Sequence, residues 1–225
     1  MSDSGKSMRV PCHRIVVVDD HPMVRERLAE VINREADLRV CGEAEDRFEA
    51  VRVIEETAPH LAIVDLTLRN SHGLDLIKDI QVMTPKVKVL VVSMQDEALY
   101  AERTIRAGAQ GYITKQEATR SILHAIRLVL AGGIYLSTAM AGRIAAASLG
   151  KLRASLPGSI ESLANRELQV FELVGSGFGT KEIADKLHLD VKTVETYRAR
   201  IKDKLRLKDA SELLQKAIAW NNRRM

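Results

Sequence analysis

The residues best suited to chemistry stand directly after short apolar runs in the first half of the chain. They are Asp19, Asp20, Asp65, Ser93 and Lys115. If those runs form neighbouring strands, the three carboxylates meet at one edge of a sheet, where like charges raise one another's pKa unless a cation lies between them. A lysine and a hard divalent cation relieve this repulsion, and Mg²⁺ prefers oxygen ligands. The pattern therefore predicts an Mg²⁺ site that can also accept a phosphoryl oxygen.

The elements that must position these residues follow from the hydrophobic pattern of the first half. Apolar runs alternate strictly with stretches of helical period. The runs are 15–18, 38–41, 61–64, 87–92 and 111–113, and the helical stretches are 22–33, 48–57, 74–83, 98–107 and 118–131. This alternation predicts an α/β fold with a doubly wound parallel sheet of five strands. Ligands bind beyond the carboxyl ends of the strands in such sheets, so the acidic residues lie at the predicted functional edge.

Four segments of this half carry a specific resemblance. IVVVDDHPMVR, AIVDLTL, VVSMQ and GAQGYITK resemble the phosphorylation pocket of receiver domains in two-component response regulators, over residues 14–135. The resemblance implies a flavodoxin-like fold with Asp65 as the phosphoacceptor. It also implies that Mg²⁺ is held by Asp19, Asp20, Asp65 and the backbone carbonyl of Thr67.

The same resemblance assigns roles to residues after the fourth and fifth strands. Ser93 would bond a phosphoryl oxygen and Lys115 would pair with the acyl phosphate on Asp65, because phosphoryl transfer depends on positioning and on neutralising oxygen charge. Tyr112 stands at the aromatic switch position, and we expect its ring to turn inward as Ser93 moves toward the phosphoryl group. The chain departs from the family pattern at Ser93, where threonine is frequent, and at Gln116, where proline is frequent. Serine keeps the hydroxyl donor.

The remaining histidines and cysteines of this half carry no ligand pattern. His21 and His72 have no partner at metal-ligand spacing, so we interpret both as surface or capping residues. Cys12 and Cys41 form no CxxC pair, which favours two free thiols in a reducing compartment. The first residues lack the apolar core of a secretory signal, and no apolar run reaches the length of a membrane span. We therefore expect a cytoplasmic protein without a membrane segment.

The net charge of +4 is distributed unevenly. Residues 151–225 carry 15 Lys and Arg against 10 Asp and Glu, whereas the rest of the chain sums to −1. Seven basic residues lie between positions 192 and 208, which marks a candidate phosphate-binding surface. The pattern here is purely helical, at 166–174, 181–187, 191–205 and 211–220. We predict an N-terminal extension (1–13), the receiver-like domain (14–135), a helical tail with a linker (136–160) and a small all-α module (161–225).

The segment LANRELQVFELVGSGFGTKEIADKLHLDVKTVETYRARIKDKL resembles the LuxR-type helix-turn-helix. In the helix at 191–205, a core stripe is predicted at Val191, Val194, Tyr197, Ile201 and Leu205, and an outward set at Lys192, Glu195, Thr196, Ala199 and Arg200. A carboxylate in the major groove accepts from cytosine N4, and a cation bonds guanine. Lys181, Tyr197, Lys202 and Lys204 are predicted to contact phosphates. The full set predicted to contact DNA includes Lys181, Lys192, Thr193, Glu195, Thr196, Tyr197, Arg200 and Lys204.

Two departures from this second family pattern bear on DNA sequence preference. Many relatives have Lys at the position of Glu195 and His at the position of Tyr197. The operator preference therefore cannot be copied from them.

The two modules together resemble the NarL/FixJ class of response regulator. The resemblance implies a DNA-binding transcription regulator that accepts phosphate on Asp65 from a sensor histidine kinase. Phosphorylation would then promote a homodimer that binds a pseudo-palindromic double-stranded operator, since dimeric helix-turn-helix proteins read two half-sites. Such a chain is not an enzyme in the usual sense, because it assists only its own Mg²⁺-dependent phosphotransfer and dephosphorylation.

Other functions remain open at this point. An aspartyl-phosphate phosphatase of the haloacid dehalogenase kind would carry a D-x-D motif on the first strand, whereas Asp19 and Asp20 are adjacent. A quorum-sensing regulator would share the helical module but would not need the acidic pocket. A receiver used without phosphorylation, as a constitutive or ligand-controlled transcription factor, fits the same residues. RNA binding is disfavoured because aromatic residues make up only 4% of the chain.

Overall fold

The structure, a computed structural model, describes residues 12–69, 71–148 and 158–222. Contacts divide the described chain into two compact units. One consists of residues 12–97 and 104–137, and the other of residues 98–103 and 138–222. The predicted N-terminal extension and linker lie partly outside the described residues. Among the helices of the described chain, none is both long and apolar enough to cross a membrane.

The first unit contains a parallel sheet and the helices that connect its strands. The strands of the unit are β1 (His13–Val18), β2 (Leu38–Ala44), β3 (Leu61–Val64), β4 (Thr67–Leu68), β5 (Ser71–His72), β6 (Lys88–Ser93) and β7 (Gly111–Thr114). Its helices are α1 (Pro22–Asn33), α2 (Arg47–Thr57), α3 (Gly73–Met83), α4 (Glu97–Ala107), which contributes residues to both units, and α5 (Lys115–Leu130). Five strands form one parallel sheet in the order β2-β1-β3-β6-β7. The predicted doubly wound fold is confirmed.

The central strands form because their residues are apolar on both faces. Every residue of β3 is buried, and the last four residues of β1 are buried as well. Parallel strands covered by helices on both sides have this continuous Val and Ile pattern. Helices α1 and α5 contribute Ile32 and Ile126 to the same apolar cluster as Ile15 and Ile63.

The strand order places a crevice at the ends of β1 and β3. From β1 the chain first adds β2 on one side and then β3 on the other, so the winding direction reverses between these two strands. The crevice outside the carboxyl ends of strands at such a reversal is the usual ligand site of this architecture. Asp19 follows β1 and Asp65 follows β3, so two predicted site residues flank this crevice.

Two features of this unit were not indicated by the sequence pattern. Strands β4 and β5 form a small antiparallel hairpin in which Thr67 pairs with His72, directly after Asp65. The chain beyond α5 also bonds to the last strand, since Tyr112 N donates to the Tyr135 carbonyl at 2.8 Å. The second contact covers part of the β7 edge, which would otherwise present unpaired backbone groups.

The second unit is helical. Its elements are α6 (Thr138–Ser148), a 3₁₀ turn (Ile160–Ser162), α7 (Asn165–Gly175), α8 (Thr180–Leu187), α9 (Val191–Leu205) and α10 (Ala210–Asn222). The four helices predicted for the C-terminal module correspond to α7 to α10. Their core is formed by fully buried side chains, among them Phe171, Ile183, Val194, Ile201 and Leu213.

Helices α7 and α10 approach closely at Gly175. A Cβ atom at this position would lie 2.5 Å from the Ala217 carbonyl oxygen and 2.8 Å from the side-chain nitrogen Nδ2 of Asn221. Both distances are shorter than van der Waals contact, so only glycine allows this approach without a shift of α10.

We predict that Gly175→Ala destabilises the protein by about 1–3 kcal/mol, the usual cost of overpacking. Urea unfolding followed by circular dichroism measures this change. Gly142→Ala is the matched control: Gly142 lies in α6 and a Cβ there meets nothing within 4 Å, so alanine should be neutral or stabilising in that helix. Equal stability of Gly175→Ala and the wild type would contradict the close approach.

Candidate functional site

The two buried acids of the pocket are held by the sheet itself. Asp19 N donates to the Ala44 carbonyl at 3.1 Å and Asp65 N donates to the Val18 carbonyl at 2.9 Å. These bonds continue the pairing of β1 beyond its end. Both residues are only 2% exposed, so their carboxylates face the crevice with little access to bulk water.

Lys115 lies between these two carboxylates. Its Nζ is 2.6 Å from Asp19 Oδ2 and 2.7 Å from Asp65 Oδ2. The other oxygen of Asp65, Oδ1, accepts a hydrogen bond of 2.6 Å from the Ser93 hydroxyl. The ammonium and the hydroxyl thus hold Asp65 from two sides. Ser93 is the last residue of β6 and Lys115 directly follows β7, so both come from strand ends, as the sequence predicts.

The pKa values of Asp65 and Lys115 depend on burial, which disfavours their charged forms, and on their mutual attraction, which favours them. Burial raises the pKa of Asp65, and the attraction of Lys115 and the hydrogen bond from Ser93 oppose that rise only in part. For Lys115, burial disfavours the ammonium, but Asp65 and Asp19 outweigh it and hold the pKa of Lys115 above its ordinary value. Three carboxylates, of Asp19, Asp20 and Asp65, face this one lysine, so a further cation would be favoured there.

The pocket has a donor set suited to such a cation. Asp19, Asp20, His21 and Asp65 each place one ligand atom within 4.8 Å of the others. Carboxylate oxygens are the ligands that Mg²⁺ prefers, so the residues fit the predicted ion. Thr67, whose carbonyl is the predicted fourth ligand, lies next to this set, since its backbone N donates to Asp65 Oδ1 at 3.3 Å.

The two histidines have different positions. His72 caps α3 by accepting a bond of 3.1 Å from Leu74 N at its Nδ1, which confirms the predicted capping role. His21 precedes α1 without capping it through its side chain. Its Nδ1 instead lies 2.6 Å from Asp20 Oδ1 and 3.2 Å from Asp19 Oδ1. This contact with the acidic pair was not expected from the sequence, because adjacent residues do not reveal where a side chain turns.

Two further residues position the pocket and were not singled out from the sequence. Arg25, one turn into α1, donates from Nη1 to the Asp19 carbonyl at 2.5 Å. Gly73 lies against the backbone after β3, where a Cβ would be 2.1 Å from the Asp65 carbonyl oxygen. Two signals in the sequence could have indicated these residues. Arg25 follows the Asp19–Asp20 pair by about one helical turn, and Gly73 is a glycine at the start of a predicted helix.

The predicted switch residues are connected through Gln95. Ser93 Oγ accepts a bond of 3.3 Å from Gln95 N, and the Tyr112 hydroxyl donates to the Gln95 carbonyl at 2.7 Å. Tyr112 is fully buried in this structure. A displacement of Ser93 would therefore be transmitted to the tyrosine through one residue of backbone.

The second candidate surface is the exposed side of α9. Lys192, Glu195, Thr196, Ala199 and Arg200 are exposed, as the outward set predicts. Val194, Ile201 and Leu205 are buried, as the core stripe predicts. Thr193 and Tyr197 are half-buried between the two sides, and Lys181 is exposed at the start of α8. Val191, assigned to the core stripe from its spacing, is 44% exposed. That assignment was wrong because the first residue of a helix can lie beyond the edge of the core.

Lys204 differs from the other basic residues of α9. Its Nζ lies 2.6 Å from Glu167 Oε2 and 3.4 Å from the Ser162 carbonyl oxygen. Glu167 is only 3% exposed, and the same carboxylate oxygen accepts a bond of 2.7 Å from Ala164 N at the start of α7. Lys204 thus connects the end of α9 to the start of α7. A phosphate contact by Lys204 stays a prediction.

Comparison with protein families and with curated proteins gives matches over most of the chain. Residues 15–127 match the response regulator receiver domain, and residues 161–217 match the bacterial regulatory proteins of the luxR family. The oxygen regulatory protein NreC of Staphylococcus epidermidis is 32% identical over 210 residues, covering 91% of this chain and 96% of NreC. NreC of Staphylococcus aureus is 34% identical with the same coverage.

Solved structures with the same architecture are also found. The RcsB response regulator of Salmonella typhimurium has a TM-score of 0.71 at 22% identity, covering 93% of this chain and 98% of RcsB. RcsB bound to the promoter rprA in the presence of the phosphomimetic BeF₃⁻ has a TM-score of 0.67 at 22% identity, covering 91% and 97%. A two-component response regulator of the LuxR family from Aurantimonas sp. SI85-9A1 is 34% identical, covering 61% and 99%, with a TM-score of 0.57.

We predict that Asp65→Asn raises the melting temperature by about 2–4 °C in a chelator-containing buffer at pH 7, for a change of about 1 kcal/mol. Burial makes the folded-state pKa of Asp65 higher than that of the unfolded chain, so stability falls as the pH rises through the folded pKa and the carboxyl ionises. Circular dichroism melts from pH 7 down to pH 4 measure the difference, which should shrink as Asp65 takes up its proton. An unchanged or lower melting temperature at pH 7 would contradict this charge balance.

A second prediction concerns the Glu167–Lys204 ion pair. Lys204→Met should destabilise the protein by about 1–3 kcal/mol, because the buried Glu167 carboxylate loses its cation. Urea unfolding measures the loss, and adding Glu167→Gln should recover part of it. Lys202→Met is the matched control on the same helix, since Lys202 has no side-chain hydrogen bond or ion pair within the described chain. If both lysine variants lose the same stability, the pair has no special role.

Proposed function

Because the chain belongs to the response regulators that join a receiver domain to a LuxR-type DNA-binding domain, we propose that phosphorylation of Asp65 controls its action on DNA. Members of this family regulate transcription and are not conventional enzymes. The phosphoryl group would come from a sensor histidine kinase. The observation that carries the proposal is the arrangement around Asp65, where an ammonium and a hydroxyl lie 2.7 and 2.6 Å from its two carboxylate oxygens.

The proposed transfer exchanges one bond to phosphorus for another. The P–N bond of a phosphohistidine breaks as an Asp65 oxygen forms a P–O bond, and the histidine nitrogen keeps the electron pair and takes up a proton. Asp19, Asp20, Asp65 and the Thr67 carbonyl would hold Mg²⁺, which neutralises charge on the phosphoryl oxygens when it is bound. Lys115 supplies a second positive charge beside the same oxygens. The same residues would assist loss of the phosphoryl group to water.

The switch follows from the hydrogen bonds of Ser93. Once Asp65 carries a phosphoryl group, the Ser93 hydroxyl is expected to donate to a phosphoryl oxygen instead of to the carboxylate. Because Ser93 Oγ also accepts from Gln95 N and the Tyr112 hydroxyl donates to the Gln95 carbonyl, this exchange would pull on the Gln95 backbone. Gln95 stands two positions before Glu97, the first residue of α4, so the position of α4 would depend on the state of Asp65.

The helical domain would bind double-stranded DNA through α9. Its exposed side offers side chains that can contact bases, and the surrounding cations would contact phosphates, which set the register of the protein on DNA. The residues proposed for these contacts are Lys181, Lys192, Thr193, Glu195, Thr196, Tyr197, Arg200 and Lys204. A homodimer would read two half-sites about one helical turn apart in a pseudo-palindromic operator.

The remaining parts of the proposal concern location and domain boundaries. A cytoplasmic location would give the protein access to DNA and keep Cys12 and Cys41 as thiols; both are free in this structure. The proposed boundaries are 14–135 for the receiver domain, 136–160 for the helical tail and linker, and 161–225 for the DNA-binding domain.

The test compares the wild type, Asp65→Ala and Glu56→Ala as full-length chains. Glu56→Ala is the matched control, because Glu56 is an exposed acid of α2 and is not a member of the acidic pocket. Phosphoramidate, whose P–N bond resembles that of phosphohistidine, serves as donor with Mg²⁺. We expect the wild type and Glu56→Ala to gain one phosphoryl group by intact mass, to dimerise by light scattering and to retain more genomic DNA fragments. Asp65→Ala should do none of these, because it lacks the accepting oxygen.

Two outcomes of this test contradict the proposal. If Asp65→Ala still shows donor-dependent dimerisation and DNA binding, phosphorylation of Asp65 is not the signal. If all three proteins retain the same fragments with and without donor, the receiver domain works without phosphorylation, as a constitutive or ligand-controlled regulator.

A further inference from the structure

The exposed side of α9 carries two acids among its bases, Glu195 and Asp203, and Glu195 is the one in the first two turns of the helix. Lys192, Glu195, Thr196 and Ala199 are all exposed, on the side of the helix away from the buried Val194. At 3.6 residues per turn, these four positions form one stripe over two turns. A stripe that faces a polyanion gains from positive charge, so an acid within it requires a physical reason.

Nothing within the described chain neutralises Glu195. Its carboxylate has no hydrogen bond and no ion pair with any described residue, although Lys192 lies one turn away on the same stripe. Two other cations of α9 have partners elsewhere: Lys204 pairs with Glu167, and Arg198 donates to the Thr180 hydroxyl at 3.3 Å. The oxygens of the Glu195 carboxylate are therefore available to accept hydrogen bonds from a ligand.

The adjacent side chain does not compete with Glu195 for a hydrogen-bond donor. The Thr196 hydroxyl donates to the Lys192 carbonyl at 2.9 Å, so it is already satisfied within the helix. Ala199, one turn further along, offers only a methyl group. Glu195 is thus the one strong acceptor among the four residues of this stripe.

The edges of the bases in the major groove differ in what they offer to such an acceptor. Cytosine presents its N4 amino group as a donor, whereas guanine presents two acceptors and thymine presents an acceptor and a methyl group. Adenine has a donor at N6, but the acceptor N7 lies beside it and would repel the second carboxylate oxygen. Cytosine is the base that takes a carboxylate with the least repulsion.

We infer that Glu195 makes the operator preference of this chain depend on a cytosine in each half-site. This inference rests on the proposed binding of α9 to double-stranded DNA and adds the identity of a base. Where cytosine is absent, the carboxylate faces acceptor atoms and nearby phosphates. Glu195 therefore both selects cytosine sites and weakens binding to all other DNA.

The test has two stages and uses the full-length protein treated with phosphoramidate and Mg²⁺. Double-stranded DNA with a randomised segment is first selected with the wild type and sequenced. Fluorescence anisotropy then measures binding to the selected operator and to operators in which each C·G pair is replaced. For the wild type, one such replacement per half-site should weaken binding about tenfold or more.

Three substitutions at Glu195 separate the possible roles of its side chain. Glu195→Ala should bind the cytosine operator and its replaced forms equally, and should bind random-sequence DNA more tightly than the wild type. Glu195→Gln keeps the shape of the side chain and should lose most of the preference, because its amide also carries donors. Glu195→Lys should prefer guanine at the same position, since an ammonium donates to guanine O6 and N7.

Asp185→Ala is the matched control for charge. Asp185 is an exposed acid of α8 with no side-chain partner within the described chain. Asp185→Ala therefore removes one negative charge, as Glu195→Ala does. This variant should bind random-sequence DNA more tightly but keep the cytosine preference. Circular dichroism melts check that every variant is folded.

Two results would overturn the inference. If folded Glu195→Ala selects the same sequences as the wild type with the same discrimination, Glu195 does not read a base. If the wild type enriches no sequence at all, the proposed DNA-binding function fails together with this inference.

Discussion

The receiver domain depends on placing three carboxylates at one edge of a sheet without letting their repulsion unfold it. Lys115 makes this possible because its ammonium lies between Asp19 and Asp65, 2.6 and 2.7 Å from their oxygens. Ion pairs buried in this way cost much desolvation energy and persist where the surrounding structure holds both partners in place. Here the sheet does so, since β1, β3 and β7 each deliver one member of the group.

The acidic groups of this pocket outnumber the cations beside them, since Asp19, Asp20 and Asp65 face the single ammonium of Lys115. Burial raises the pKa of Asp65 even with Lys115 beside it, because removal from water disfavours the carboxylate. Hydrogen bonds from Ser93 to Asp65, from Gln95 to Ser93 and from Tyr112 to Gln95 join this pocket to the segment before α4.

The DNA-binding domain uses charge in a different way. A small apolar core, formed by residues such as Phe171 and Ile201, holds four helices together, and the ion pair between Glu167 and Lys204 joins two of them. The pair gives Lys204 a partner within the protein, although its side chain is still 40% exposed. Lys192 and Arg200 remain on the exposed side, where Glu195 opposes them. The net charge of a helix therefore says less about DNA binding than the partner of each charged residue.

Much of the fold and of the pocket could be predicted from the sequence, because both depend on the order of apolar and polar residues within short segments. Apolar runs that alternate with helical stretches predicted the five-stranded sheet, and the residues after those runs predicted Asp19, Asp65, Ser93 and Lys115. Strands β4 and β5 were missed, since two residues are too few to show a period. The exposure of Val191 at the start of α9 was also missed.

What the tertiary structure decided is which groups are partners. Seven basic residues between positions 192 and 208 look alike in the sequence, yet Lys204 finds a buried carboxylate 37 positions away. Gly73 was not marked by any period, but its lack of a side chain lets α3 approach the backbone of Asp65. Periodicity reports which face of an element is buried. Pairing depends on distances between elements, and these are set only when the chain packs.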